Sequence, residues 1–399
     1  MKERDVIKLA LLRIKSQHFV ANYEGGEQLS DSQYIKINMA KETMSSRERV
    51  LLTLGFEKPD RVPIDYSANP SIHNRLMKTL RAQNTEEMLE LLGVDLRAID
   101  VPYIGPRLFP VIRGYSVNQE YGSISRWVRN EYSGYEDFCC FPLKDATEIK
   151  VRNWPMPNPE LYDYAVVKRL IRAFQSKAIY IGHPGYPDII NSLGRVMGME
   201  SCLINLQIRD EATLDFISRK ADFEIGKLER LLNAIRSAGG SADFMMLGED
   251  LGSQIAPLIS HELFTDVIRP IFARFIGLAQ SYGLPVMVHS CGSSSWVFED
   301  FIQMGIIAVD TLQPEATNMS PAYLKERFGG RLVFHGCIST AALANLSVEG
   351  VRNICSETIE IMMPTFGYHF APTHMIQDNT PVENIIKMYQ TIHQLGVYT

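Results

Sequence analysis

The 399-residue sequence has no apolar run approaching the roughly 20 residues that a membrane-spanning helix needs. It has no excess of positive charge either. Lys and Arg number 40 against 46 Asp and Glu, a net charge of −6. Nothing therefore draws the chain to phosphate backbones or anionic lipid, which excludes nucleic acid and membranes as partners. Cysteine is sparse. The six residues, at 139, 140, 202, 291, 337 and 355, lack the spacing of a disulfide-stapled small domain, and the adjacent Cys139 and Cys140 cannot readily bridge each other. The start, Met1-Lys2-Glu3-Arg4-Asp5, carries both charge signs and no signal-peptide core. Reduced thiols in a cytoplasmic protein are the expectation. No Gly-rich dinucleotide loop follows any expected strand, which argues against an open nucleotide-binding sheet.

What is present is the composition of a compact globular protein, 46% hydrophobic and 22% charged. Residues 1–45 read as an N-terminal helical extension, with Ile7, Leu11 and Ile14 at helical spacing, an arm suited to packing on the second subunit of a homodimer. The main domain, 46–399, begins after Ser45, which with Glu48 spells a capping box for a helix ending at Gly55. Four β-rich runs follow, Val62–Tyr66, Arg97–Tyr103, Ala178–His183 and Phe244–Glu249. A segment rich in aromatics and Gly, about 106–155, interrupts them and reads as added β-hairpins. Four cleaner βα units complete the chain, with strands Leu284–His289, Ile306–Leu312, Leu332–Gly336 and Tyr368–Thr373. Ser320-Pro321, Ser347 and Thr380-Pro381-Val382-Glu383 mark the starts of later helices. Nearly continuous apolar strands alternating with helices imply parallel strands buried on both faces. Eight of them predict an α/β fold, a (β/α)8 TIM-type barrel with a β-hairpin insertion.

In such barrels chemistry collects where strands end. Those ends carry Asp65/Tyr66, Tyr103, His183, Glu249/Asp250, His289/Cys291, Gln313/Glu315, His335/Cys337 and His374/Gln377. The sharpest cluster is Val288-His289-Ser290-Cys291-Gly292. Imidazole and thiolate two residues apart, leaving a strand into a Gly turn, suit zinc, a borderline-soft ion that takes nitrogen and sulfur. Cys337 and His374 are candidates for a further ligand, and Glu249 offers an oxygen. The Glu249-Asp250 pair suits metal binding, acid/base work or the orientation of a ligand histidine. Tyr66, Tyr103, His183, Gln254, Gln313 and Gln377 are candidate substrate contacts. His335, within the apolar run of its strand, reads as a hydrogen-bonded core histidine, and His261 as first-turn surface structure after its cap Ser260.

Four stretches carry a resemblance. They are Arg49-Val50 with Asp60-Arg61-Val62-Pro63, the run Gly248 to Gln254, the His289-Ser290-Cys291 segment, and Ala371-Pro372-Thr373-His374 with Thr380 to Ile385. Together they resemble the uroporphyrinogen decarboxylase superfamily, most closely its zinc-dependent, corrinoid-linked methyltransferases. The likeness runs from about Ser45 to Tyr398 and implies a distorted (β/α)8 barrel. In that branch the H-x-C pair is joined by a cysteine near the last strand; His374 stands there in this chain, so His374 and Cys337 both remain open as third ligand. Decarboxylases of the superfamily hold substrate carboxylates with arginines after the first strand, whereas Asp65 to His73 contains none.

The resemblance thus implies methyl transfer between a small methylated substrate (a methyl ether, methylamine or thiol) and a corrinoid, with zinc as Lewis acid or thiolate holder. No D-x-H-x-x-G corrinoid motif occurs, so the corrinoid is expected on a separate corrinoid-binding protein. The alternative is a metal-free decarboxylase or lyase of the same fold, with Glu249 or Asp250 as acid/base.

Overall fold

The structure is a computed structural model that describes residues 37–399. The helical pattern expected around Ile7, Leu11 and Ile14 lies outside the described residues. Ten strands are described: β1 (Leu96–Ala98), β2 (Ser116–Val117), β3 (Ile124–Val128), β4 (Tyr135–Cys140), β5 (Ala178–Pro187), β6 (Phe244–Gly248), β7 (Val286–Ser290), β8 (Ala308–Thr311), β9 (Val333–Ile338) and β10 (Tyr368–Pro372). Parallel pairings join β5, β6 and β7 in one run and β8, β9 and β10 in another, each in chain order as repeated βα units require. The α/β class expected from the sequence is the observed one. The chain forms two compact units, one of residues up to Arg97 with 176–178 and 308–399, the other of 98–175 and 179–307.

In the first unit the capping box forms as read. Ser45 Oγ accepts from the Glu48 amide at 3.2 Å, and the Glu48 carboxylate accepts from the Ser45 amide at 2.8 Å. β8, β9 and β10 run side by side in parallel register, Ala308 opposite Val333 and Tyr368 opposite Phe334. All residues of β9 and β10 are buried, the mark of strands covered on both faces. The expected strand Val62–Tyr66 is reduced to a single parallel bridge, Ile64 to Phe370. Its backbone is still used on both sides. Phe370 N–H donates to Pro63 O at 2.8 Å, Asp65 N–H to Phe370 O at 3.0 Å, and Asp95 N–H to Ile64 O at 2.8 Å. Pro63 has no N–H to add, which cuts the ladder short.

The arginine and aspartate stretch that opens the resemblance has a structural role in this unit. Arg49 pairs with Asp95 at 2.6 Å and Asp60 at 2.7 Å, and Arg61 pairs with Asp95 at 2.7 Å and Glu42 at 2.6 Å. Asp95 is fully buried and also accepts from the Ile64 amide at 2.8 Å. Burial alone would raise its carboxyl pKa, but the two guanidinium groups pull it below its ordinary value. One helix start departs from expectation. The last helix runs Val382–Leu395 behind Pro381 without a side-chain cap, so Thr380 and Glu383 form no capping box. Ser320 and Ser347 do cap their helices.

In the second unit β5, β6 and β7 are parallel, with Gly182 opposite Met246 and Gly248 opposite His289. The aromatic insertion forms a three-stranded antiparallel sheet, β2-β3-β4, as its alternation suggested. The 27-residue helix Glu211–Ser237, capped by Asp210, places Lys220, Glu224 and Lys227 on its buried face. The strand expected over Arg97–Tyr103 ends early, and Tyr103 makes only an isolated bridge to Tyr162. No helix among the described residues is long and apolar enough to cross a membrane.

Candidate metal centre

β6 and β7 lie in register, so their ends deliver Glu249-Asp250 and His289-Ser290-Cys291 to one place. Glycines allow the following loops to touch. Gly292 has φ +70°, and a Cβ there would strike the Gly252 carbonyl, which stands against it. Ser293 N–H closes the contact by donating to Ser253 O at 2.7 Å. The glycines read at 252 and 292 are thus the reason Cys291 sits beside Asp250.

Asp250, His289 and Cys291 bring an oxygen, a nitrogen and a sulfur within 4.8 Å of one another, each residue half-buried. Cys291 Sγ lies 3.4 Å from His289 Nε2, and Asp250 Oδ1 lies 3.9 Å from the same nitrogen. The carboxylate is held from two sides. Oδ1 accepts from the Cys291 amide at 2.9 Å, and Oδ2 accepts from Asn191 Nδ2 at 2.9 Å. Asn191 also donates to Asp188 at 2.9 Å. Burial would raise the Asp250 carboxyl, but His289 and the bonds from Cys291 and Asn191 hold it below its usual value. Burial pushes the Cys291 thiol up, against the opposing pull of His289.

The adjacent carboxylate has a different place. Glu249 is fully buried, and its two oxygens accept from the Ile189 amide at 2.7 Å and the Ile190 amide at 3.0 Å. Its carboxyl group thereby takes the place of a cap for the helix Ile189–Met197, which has no side-chain cap of its own. Burial, and then the charge of Asp188, push its carboxyl well up. The pairing of Glu249 with a helix sixty residues earlier left no local signal in the sequence. Neither did Asn191, which steadies Asp250.

The remaining site residues of this unit lie at strand ends or on loops. His183 Nδ1 accepts from the Gly185 amide at 2.9 Å, which places the neutral ring's proton on Nε2. Burial lowers its pKa to about 4, so the ring is neutral at pH 7. Tyr103 donates its hydroxyl to Pro106 O at 2.8 Å. Gln254 is exposed on the loop after β6.

In the other unit Tyr66 is buried, with its hydroxyl 3.3 Å from His73 Nδ1. Gln313 follows β8, half-buried. Cys337 is a buried residue of β9 whose thiol is pushed up by burial. His374 and Gln377 are exposed beyond β10, where Gln377 donates to Met375 O at 2.6 Å. The three-donor group among the described residues contains neither Cys337 nor His374. His335 is the buried, paired histidine that its strand position suggested, 2.6 Å from Asp310 and 3.3 Å from Asp65.

The donor set passes a chemical test for zinc. It offers three ligands of N, S and O type, each half-buried, and a carboxylate fixed by outer partners. A softer ion would favour more sulfur, and a hard one would favour oxygen alone.

No curated protein matches the chain. A methyltransferase from Methanosarcina mazei has a similar structure, with a TM-score of 0.57 and 18% identity over 88% of this chain and 98% of that one. At that identity the likeness shows the fold. Residues 227–395 match the family model of uroporphyrinogen decarboxylase (URO-D), a span that includes Asp250, His289, Cys291, Cys337 and His374. Over that span, less than half of the chain, the sequence is similar to uroporphyrinogen decarboxylase.

Proposed function

We propose that this protein is a cytoplasmic, zinc-dependent methyltransferase that moves a methyl group between a small methylated substrate and a corrinoid carried on a separate protein. The observation that carries the reading is the Asp250, His289 and Cys291 group, whose donor atoms lie within 4.8 Å of one another. The methyltransferase fold of the Methanosarcina mazei neighbour supports it. So does the absence of arginine from Asp65 to His73, where a substrate bearing many carboxylates would need cationic partners.

His289 Nε2, Cys291 Sγ and Asp250 Oδ1 would hold the zinc. When bound, it supplies Lewis acidity at a methylated heteroatom, or keeps a thiol acceptor as thiolate at neutral pH. The chain's own residues do the rest. Asn191 and the Cys291 amide fix the Asp250 carboxylate, so the donor set is arranged in advance. Glu249 anchors the helix that carries Asn191. His183, neutral with its proton on Nε2, presents a donor at the end of the same parallel strand set.

The test is methyl transfer to added reduced cobalamin from a panel of methyl ethers, methylamines and methylated thiols, followed by absorbance. Wild type should turn over at least one donor class, and Cys291→Ala and Asp250→Asn should each lose at least about tenfold, as ligand losses do. Decarboxylation that survives Cys291→Ala and fails in Asp250→Asn would replace this reading with the metal-free one.

A further inference from the structure

Successive side chains of a regular strand point to opposite faces. The sulfurs of Cys139 and Cys140 nevertheless stand 3.8 Å apart. The register of the hairpin explains it. Cys140 pairs with Ile124 and Asp137 with Arg126, so β4 has one more residue than β3 between those two pairs. The extra residue makes a β-bulge at Phe138-Cys139, and bulges re-aim side chains. Both cysteines are half-buried.

A disulfide is poorly suited to this pair. Its sulfurs lie about 2.05 Å apart and its Cα atoms usually 4.4 Å or more, whereas neighbouring Cα atoms across a trans peptide are about 3.8 Å apart. A bridging atom fits better. Two sulfurs each about 2.3 Å from one bridging atom stand about 3.8 Å apart at a tetrahedral angle and about 3.4 Å apart at the narrower angle of a pyramidal centre, a small side-chain adjustment from the separation seen. No third His, Cys, Asp or Glu joins these thiols in a three-donor group among the described residues. The occupant must therefore be content with two protein sulfurs and bring its own remaining ligand, which zinc bound by protein seldom does.

We propose that Cys139 and Cys140 form a dithiol site for a trivalent, thiophilic metalloid of the organoarsenical type, separate from the group at His289. The binding step balances without an oxidant. Two S–H bonds and one As=O bond break, two As–S bonds form, and one water leaves with both thiol protons; arsenic remains trivalent.

Phenylarsine oxide, added to the full-length protein as purified with its metal, is the probe. One adduct per chain is expected by intact mass, equal to the probe less one water. Two thiols should disappear from titration, and the adduct should resist excess monothiol but release to a dithiol. Cys139→Ser and Cys140→Ser should each retain less than a tenth of it at unchanged thermal midpoint and metal content. An adduct that monothiol strips from the wild type, or one that persists in both serine variants, overturns the proposal. A hairpin destabilised by serine would show as a lowered midpoint. In that event Cys139→Ala is read by the same retention criterion.

Discussion

The Cys291 main-chain N–H donates to Asp250 Oδ1 at 2.9 Å, tying the first residue after β7 to the second residue after its neighbour β6. Metal ligands are most useful when their positions are set before the ion arrives. Here the backbone sets the carboxylate while the side chains of His289 and Cys291 stay turned to the same space, 3.4 Å apart.

Glu249 and Asp250 are neighbours with different tasks, and substitution should separate them. Glu249→Ala removes the acceptor of two buried amides, which costs about 1–3 kcal/mol for each left unsatisfied. Denaturant unfolding should show that loss while folded protein keeps its zinc. An equally stable Glu249→Ala that holds zinc yet has lost activity would instead mark Glu249 as an acid/base group.

Asp95 is the hub between Arg49 and Arg61, all three essentially inaccessible. Asp95→Ala leaves two guanidinium groups buried without their shared carboxylate, and breaking such pairs costs about 3–5 kcal/mol. Urea midpoints should fall accordingly. A change under about 1 kcal/mol would mean that water reaches the site, contrary to the packing.

His335 gives stability a pH dependence. Burial alone would lower its pKa, but Asp310 and then Asp65 raise it to about 10, above the ordinary 6.5. Because the folded value is the higher one, the imidazolium stabilises fully below about pH 6.5. That contribution declines as pH rises through about 10. Unfolding free energies of wild type and His335→Gln should therefore converge between those two values. A gap that widens with pH would show that the ring is neutral in the folded chain.

Much of the fold was legible because its signals are local. Ser45 with Glu48, Ser260, Ser320 and Ser347 all cap where the sequence placed helix starts. The runs expected at Phe244–Glu249, Leu284–His289, Leu332–Gly336 and Tyr368–Thr373 became the strands Phe244–Gly248, Val286–Ser290, Val333–Ile338 and Tyr368–Pro372. Two local patterns were overruled. Thr380 and Glu383 spell a capping box, yet the helix begins past Pro381 without one. Val62–Tyr66 has strand composition, but Pro63 limits it to a bridge. Of the candidate site, His289 and Cys291 could be read from two-residue spacing at a strand end. The choice of Asp250 over Glu249 could not. It depends on the helix beginning at Ile189, some sixty residues away, whose amides take Glu249 and whose Asn191 holds Asp250. The bulge that turns Cys139 toward Cys140 is likewise set by pairing with β3, which no pattern within β4 reveals.

The most direct measurement is the zinc content of the purified wild-type chain beside Cys291→Ala, both expressed with zinc supplied. Near one zinc per chain in the wild type, falling to a small fraction in Cys291→Ala, is the expected result. A folded wild-type protein that holds no zinc under those conditions would contradict the metal centre at Asp250, His289 and Cys291, and with it the proposed methyl transfer.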